Sequence, residues 1–227
     1  MKSLVLNNLS YGMYAIGVKG KNKTSACIVN NVMQISNDTP KLLAVSVNKD
    51  SYSCECIDKE KIFTISVLSE DTPATVIGAL GFNSGRNIEK LENIRHKVLN
   101  EGVPVIKENT CCWFLCKVKD KMVTGNAVVF SAEIVAGSDK TVGKPMTYEY
   151  YRESLKCSSP KSSPTYLPPE STFDMSSGES FVCSVCGYVY SDPNFSFEEL
   201  RENWVCPICK MPKKAFVRKK SNGNMKF

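Results

Sequence analysis

Residues 25–57 read SACIVNNVMQISNDTPKLLAVSVNKDSYSCECI. Within them, KLLAVSVNK (41–49) is a short aliphatic, β-branched run that ends in turn residues, which is the signature of a strand. A helix is expected directly afterwards, over Tyr52–Glu60. Short polar side chains gather at two places. Ser25, Cys27, Asn30 and Asn31, with Ile28 among them, form one candidate loop, and Ser46, Asn48, Lys49 and Ser53 form a second group just after the strand.

The strand signature recurs on both sides of this stretch. MYAIGVKG precedes it, and IFTISVLSE, TCCWFLCKVKD and NAVVFSAEIVAG follow. A second helix is expected over Thr72–Leu80, with Pro73 near its start. Many strands at modest spacing with few helices point to a mainly β domain closed as a barrel. GALGFNSGR lacks the G-x-G-x-x-G spacing and follows no strand, so a dinucleotide-binding Rossmann unit is not expected, and no P-loop is present. The only histidine, His96, argues against histidine-based hydrolysis and reads as a surface or packing residue.

Composition sets the class. The apolar fraction of 42% is that of a globular protein, and no run approaches the roughly 18 apolar residues that cross a bilayer. MKSLVLNNLS holds one lysine and a three-residue apolar stretch, too short for a signal peptide. A cytoplasmic protein without a membrane partner is the expectation. Eleven cysteines, an odd number, fit a reducing compartment better than a disulfide framework. Of the net charge of +6, seven positive side chains lie from Lys210 onward, with no acidic residue there. The rest of the chain is close to neutral, so nucleic acid is not an expected partner.

Residues 158–178, SSPKSSPTYLPPESTFDMSSG, keep no apolar periodicity and read as a Ser/Pro-rich linker. If flexible, about 20 residues reach roughly 25 Å. The expected organisation is 1–157 for the barrel domain, 158–178 for the linker, 179–218 for a small metal domain and 219–227 for a basic tail. In the small domain, Cys183, Cys186, Cys206 and Cys209 follow C-x2-C-x19-C-x2-C spacing. Two such loops place four sulfurs in a tetrahedron, and the spacing alone leaves zinc and iron open. A domain of about 40 residues needs such a staple to fold. Tyr188, Tyr190, Phe195, Phe197, Trp204 and Phe216, with Phe181, are available to pack around it. Gly187 stands where the backbone is expected to need a positive φ.

The pieces FVCSVCGYVY, FEEL and NWVCPIC, with the late Phe216, resemble rubredoxin. The resemblance implies one iron ion held by Cys183, Cys186, Cys206 and Cys209, carrying one electron. Two departures stand out: the stretch between the loops is short, and Lys210 replaces the glycine usual after the last cysteine. A left-handed lysine there costs about 1 kcal/mol.

The pieces ACIVN, MQIS with TP, SVNKDSYS and ALGFNSGRNIEK, in that order, resemble the flavin reductase-like, FMN-binding split-barrel family over Leu4–Lys156. The resemblance implies a split β-barrel with few helices that binds FMN. Ser25, Cys27, Ile28, Asn30, Asn31, Ser46, Asn48, Lys49 and Ser53 are then candidates for the flavin's polar edge. Ser84, Gly85, Arg86 and Lys90 suit its phosphate, with an open turn, a bidentate fork and a point charge. Cys27 reads as a small packing residue beside the ring. Asn126 stands where the family often places a histidine near the flavin. No residue is expected to act as a catalytic acid or base.

The two halves in this order resemble the high-molecular-weight rubredoxins. The resemblance implies an oxidoreductase passing electrons from NAD(P)H, directly or through a separate reductase, to FMN and then to an iron held by the four cysteines. The terminal acceptor would be a flavodiiron protein that reduces nitric oxide or oxygen, or a rubrerythrin-type protein. A homodimer is expected by the same analogy. Zinc carries no electron, so the flavin-like barrel favours iron. The alternative is a zinc ribbon whose basic tail makes it a binding module beside the barrel.

Overall fold

A computed structural model describes residues 3–155, 157, 159–160, 162–166, 179–190, 192 and 195–220. The first strands are β1 Tyr14–Lys19, β2 Thr24–Val29, β3 Val32–Ser36, β4 Leu42–Asn48 and β5 Ile62–Leu68. The hairpin of β6 His96–Val98 and β7 Pro104–Ile106 follows, then the long strands β8 Thr110–Val123 and β9 Ala127–Gly137. All but the hairpin form one antiparallel sheet in the order β2-β1-β5-β8-β9-β4-β3.

That order explains the barrel. β2 and β3 stand at opposite edges of the sheet, yet only Asn30 and Asn31 separate them in the chain. From Val29 to Val32 the backbone spans at most about 11 Å, so the sheet must curl until its edges approach. No ladder joins β2 to β3 among the described residues, and the barrel is split there. Register shifts in β8, between Leu115 and Cys116 and between Val118 and Asp120, help bend the sheet.

Strand alternation feeds two cores. Ile16 and Val18 of β1 point into the barrel with Val45, Val47, Phe63, Ile65, Phe130 and Ala132. Met13 and Ala15 point outward into a second cluster with Leu68, Met146 and Tyr151. Helix α1, Tyr52–Glu60, inserts Cys54, Cys56 and Ile57 into the barrel core. Ser51 caps it by accepting from Cys54 N at 3.1 Å, and Lys61 ends it in a left-handed turn at φ 57°. Helix α2, Ala74–Gly81, starts two residues later than the sequence suggests, because Pro73 takes the cap position with extended ψ. Thr64 and Ser66 are buried hydroxyls on β5. Thr64 donates to Pro104 O, and Ser66 accepts from Ile106 N at 3.1 Å, which ties the β6–β7 hairpin to the barrel. His96 sits on that hairpin, with Nδ1 2.7 Å from Ile94 O. A short helix α3, Tyr148–Glu153, closes the domain.

The small domain pairs β10, Glu179–Cys183, with β11, Phe216–Lys220. Its two cysteine turns are built alike. Gly187 N donates to Cys183 O at 2.9 Å, and Lys210 N donates to Cys206 O at 3.0 Å. Gly187 has φ 74° and Lys210 has φ 60°, so lysine takes the glycine-like conformation. Aromatic rings fill the space beside the cysteines: Phe181 stacks on Phe197 at 4.2 Å, and Phe216 lies 5.0 Å from Phe197 and 5.2 Å from Trp204. None of the eleven cysteines is in a disulfide. Of the basic tail, residues 221–227 lie outside the described residues, as do 167–178 of the Ser/Pro-rich segment.

Candidate functional site

The four small-domain cysteines converge. The sulfurs of Cys183, Cys186, Cys206 and Cys209 lie within 4.8 Å of one another, and all four residues are buried. Cys183 and Cys209 stand 3.6 Å apart, and Cys186 and Cys206 3.5 Å. A tetrahedron with metal–sulfur bonds of about 2.3 Å has edges of about 3.8 Å, whereas a disulfide would need about 2.0 Å. The donor set therefore fits one thiophilic ion. The crowding unsettles the thiols unequally. Hydrogen bonds from Cys186, Cys206 and Cys209 push Cys183 well below the ordinary thiol range, and the same cluster pushes Cys186 above it.

A cavity of about 550 Å³ opens where the barrel splits, within the roughly 300–1,000 Å³ typical of cofactor sites. Its apolar side comes from Ile28 and Val29 of β2 and from Ile77 and Leu80 of α2. Its polar side comes from Asn30, from Ser46 and Asn48 of β4, and from Ser51 and Ser53 at the head of α1. Ser84, Gly85 and Lys90 close one end.

That end fits an anion. Lys90 is 6% exposed, donates to Leu80 O and makes no ion pair among the described residues. Burial lowers its pKa from the ordinary lysine value. Ser25 Oγ is buried without a hydrogen-bond partner, and a Cβ at position 85 would collide with it. A buried cation and a close-packed glycine turn at one end of a cofactor-sized cavity suit a phosphate-bearing, flat cofactor. Cys27 lines the cavity, and burial raises its thiol, with Lys90 partly offsetting this. It stays a neutral thiol, consistent with packing rather than redox chemistry.

The expected candidates divide. Cys27, Ile28, Asn30, Ser46, Asn48, Ser53, Ser84, Gly85 and Lys90 line the cavity, and Ser25 lies beneath Gly85. Ser25, Cys27 and Ile28 belong to strand β2 rather than to a loop. Asn31, Lys49 and Arg86 do not line it. Asn31 O accepts from Ser46 N at 3.1 Å, and Lys49 Nζ donates to Gly125 O at 2.7 Å. Arg86 pairs with Glu55 at 2.5 Å and lies over the Tyr52 ring at 5.6 Å. Asn126 is exposed and offers its backbone O to Lys49 N at 3.1 Å.

Two contributors were not visible in the sequence. Tyr148 and Tyr151 of α3 line the cavity. So does the first part of the Ser/Pro-rich segment: Asn30 Nδ2 donates to Thr165 Oγ1 at 2.7 Å, Asn48 Nδ2 donates to Ser162 O at 2.5 Å, and Tyr148 pairs with Ser159 at 2.7 Å. The described part of this segment straps the cavity instead of hanging free. Only the Pro and Ser content was legible, and it reads as linker.

A split barrel with this cavity, joined to a buried four-cysteine cluster, defines a flavin-and-iron oxidoreductase. The Flavin reductase like domain matches residues 6–156. The high molecular weight rubredoxin of Moorella thermoacetica is 31% identical over 227 aligned positions, covering 95% of this chain and 99% of that protein. The ferric-chelate reductase (NAD(P)H) of Archaeoglobus fulgidus is 26% identical, covering 70% of this chain and 94% of that protein. Flavoredoxin of Methanosarcina acetivorans shares the fold at a TM-score of 0.53 with 23% identity, over 61% of this chain and 77% of that one. The chain belongs to the flavin reductase-like family, in its high-molecular-weight rubredoxin branch. FMN and one iron ion are the cofactors that its cavity and cysteine cluster fit. No helix among the described residues is long and apolar enough to cross a membrane.

Proposed function

We propose that this protein carries electrons from NAD(P)H through FMN to iron at Cys183, Cys186, Cys206 and Cys209, and on to a terminal reductase in the cytoplasm. The observation that carries this reading is a cofactor-sized cavity with a buried, unpaired cation in the same chain as a closed four-thiol cluster. When bound, the flavin supplies two-to-one conversion: one hydride enters from NAD(P)H and two electrons leave singly, reducing two ferric equivalents and releasing protons.

The chain's residues supply binding and orientation. Lys90 would hold the anionic end, beside Ser84 and Gly85, with Ser25 packed beneath Gly85. Ile28, Ile77 and Leu80 would offer the apolar wall, and Ser46 and Ser53 the polar one, beside Asn30 and Asn48, whose amides tie down the strap. Asn31, Lys49 and Arg86 play no direct part in this reading. Cys27 remains a neutral thiol, and no acid–base pair is required. The buried four-cysteine cluster would hold the iron away from water. The terminal acceptor is a flavodiiron protein reducing nitric oxide or oxygen, or a rubrerythrin-type protein. The acidic body and basic C-terminus of the small domain would steer that docking.

A homodimer is the assembly in this reading, and exposed apolar side chains on the sheet support it. Met33 and Ile35 of β3 are 62% and 45% exposed, and Met122 and Val123 of β8 are 60% and 65% exposed. Of these, β3 is an edge strand of the sheet, and its exposed apolar side chains suit a second copy of the chain. The purified protein is expected to retain FMN and one iron per chain, with the red-yellow absorption of both. A colourless protein holding zinc would instead establish a ribbon-type binding module.

A further inference from the structure

We propose that helix α2 is the seat of this chain's own metal loop, that Gly78 is the residue that lets the loop sit down, and that Tyr151 spans from the cavity to the cysteine cluster. This rests on the flavin-to-iron reading above and deepens it.

Gly78 is in the middle of ATVIGALG, where glycine costs about 1 kcal/mol relative to alanine. A cost of that kind needs a reason. A Cβ at position 78 would overlap Ile208 O and stand 2.6 Å from its carbonyl carbon. These are backbone atoms of the turn between Cys206 and Cys209, so no side-chain rotation relieves the clash. Ile208 itself is 5% exposed and packs in the same cluster as Ile77 and Leu80. Those two residues also line the cavity. One helix therefore has the cavity on one side and the metal loop against its glycine.

Tyr151 completes the bridge. It is 2% exposed, lines the cavity and belongs to the cluster that holds all four metal-site cysteines. It hydrogen-bonds the buried Cys157. A domain that merely swings on its linker would leave α2 free to carry alanine. The sequence and the packing agree instead on a docked resting position beside the flavin site.

The test compares the full chain loaded with ferric iron and with zinc, by NMR. Paramagnetic iron is expected to broaden the amide signals of Ile77, Ala79 and Leu80 in the wild type, relative to zinc. Gly78→Ala is expected to restore sharp signals while the FMN-induced shifts of pocket amides persist. Ile208→Glu, which attacks the seat from the loop side, is expected to do the same and serves if the first variant does not fold. In stopped flow, flavin-to-iron transfer is expected to slow about tenfold or more in Gly78→Ala, in proportion to the lost docked population. Absence of broadening in the wild type, or its persistence in a folded variant, overturns the seat. Broadening in a wild type whose iron is never reduced by the flavin would keep the seat and overturn the electron route.

Discussion

At the residue scale, Lys90 is the most informative side chain of the barrel domain. It is a buried ammonium with a carbonyl for a partner and no carboxylate among the described residues. Its lowered pKa, caused by burial, has a definite sign. Between the lowered folded value and the ordinary 10.5, the unfolded chain binds the proton and the FMN-free fold resists it. Stability of the FMN-free protein therefore rises with pH across that window. A bound phosphate reverses the preference, so FMN binding draws a proton onto Lys90 and weakens as pH rises. Lys90→Met is expected to weaken FMN binding by about 2 kcal/mol, roughly thirtyfold. It should also raise the thermal midpoint of the FMN-free protein at neutral pH. Equal FMN affinity by fluorescence titration would show that the anion sits elsewhere. Lys90 and Gly85 came to notice through the family resemblance, because a cation beside a glycine turn is by itself more often an ordinary solvated loop. Arg86 looked equivalent, but Glu55, 31 residues away in sequence, takes its guanidinium, and no local pattern announces a pairing made by the fold. Lys210 was legible in another way: the repeated cysteine turn requires a positive φ there whichever residue is present.

At the element scale, β1, β4, β5, β8 and β9 carry enough β-branched and aromatic residues to be read directly. β2 and β3 were hidden. As edge strands they mix apolar with polar residues such as Ser25 and Gln34, and a short polar edge resembles a loop. Helix α2 was legible as a helix, but its glycine looked like a defect until the metal loop was placed against it. The strap of residues 159–160 and 162–166 was the least legible, because its course depends on Asn30 and Asn48, far away in the sequence. The strap is expected to slow flavin loss. Thr165→Val removes one hydrogen bond worth about 1 kcal/mol, so FMN should dissociate roughly fivefold faster. An unchanged or slower off-rate, followed by the rise in flavin fluorescence on dilution, would mean that the strap does not hold FMN in.

At the scale of the whole molecule, two folds with separate sequence signatures meet through one apolar cluster. It runs from Met13 and Leu68 through α2 and Tyr151 to Cys183, Cys186, Cys206 and Cys209. Each half was legible through its own motif. Their contact was not, since the Ser/Pro-rich run between them reads as a tether and interdomain surfaces leave no local periodicity. The docked arrangement gives the fusion a physical purpose beyond the roughly millimolar local concentration that a tether provides. The most direct measurement is anaerobic mixing of the FMN- and iron-loaded protein with limiting NADH or NADPH, following the flavin and iron bands together. With one nicotinamide per two chains, the expected result is a transient loss of the flavin band that recovers as the ferric bands are lost, two ferric centres being bleached per nicotinamide oxidised. Reduced flavin beside persistently ferric iron would contradict the account.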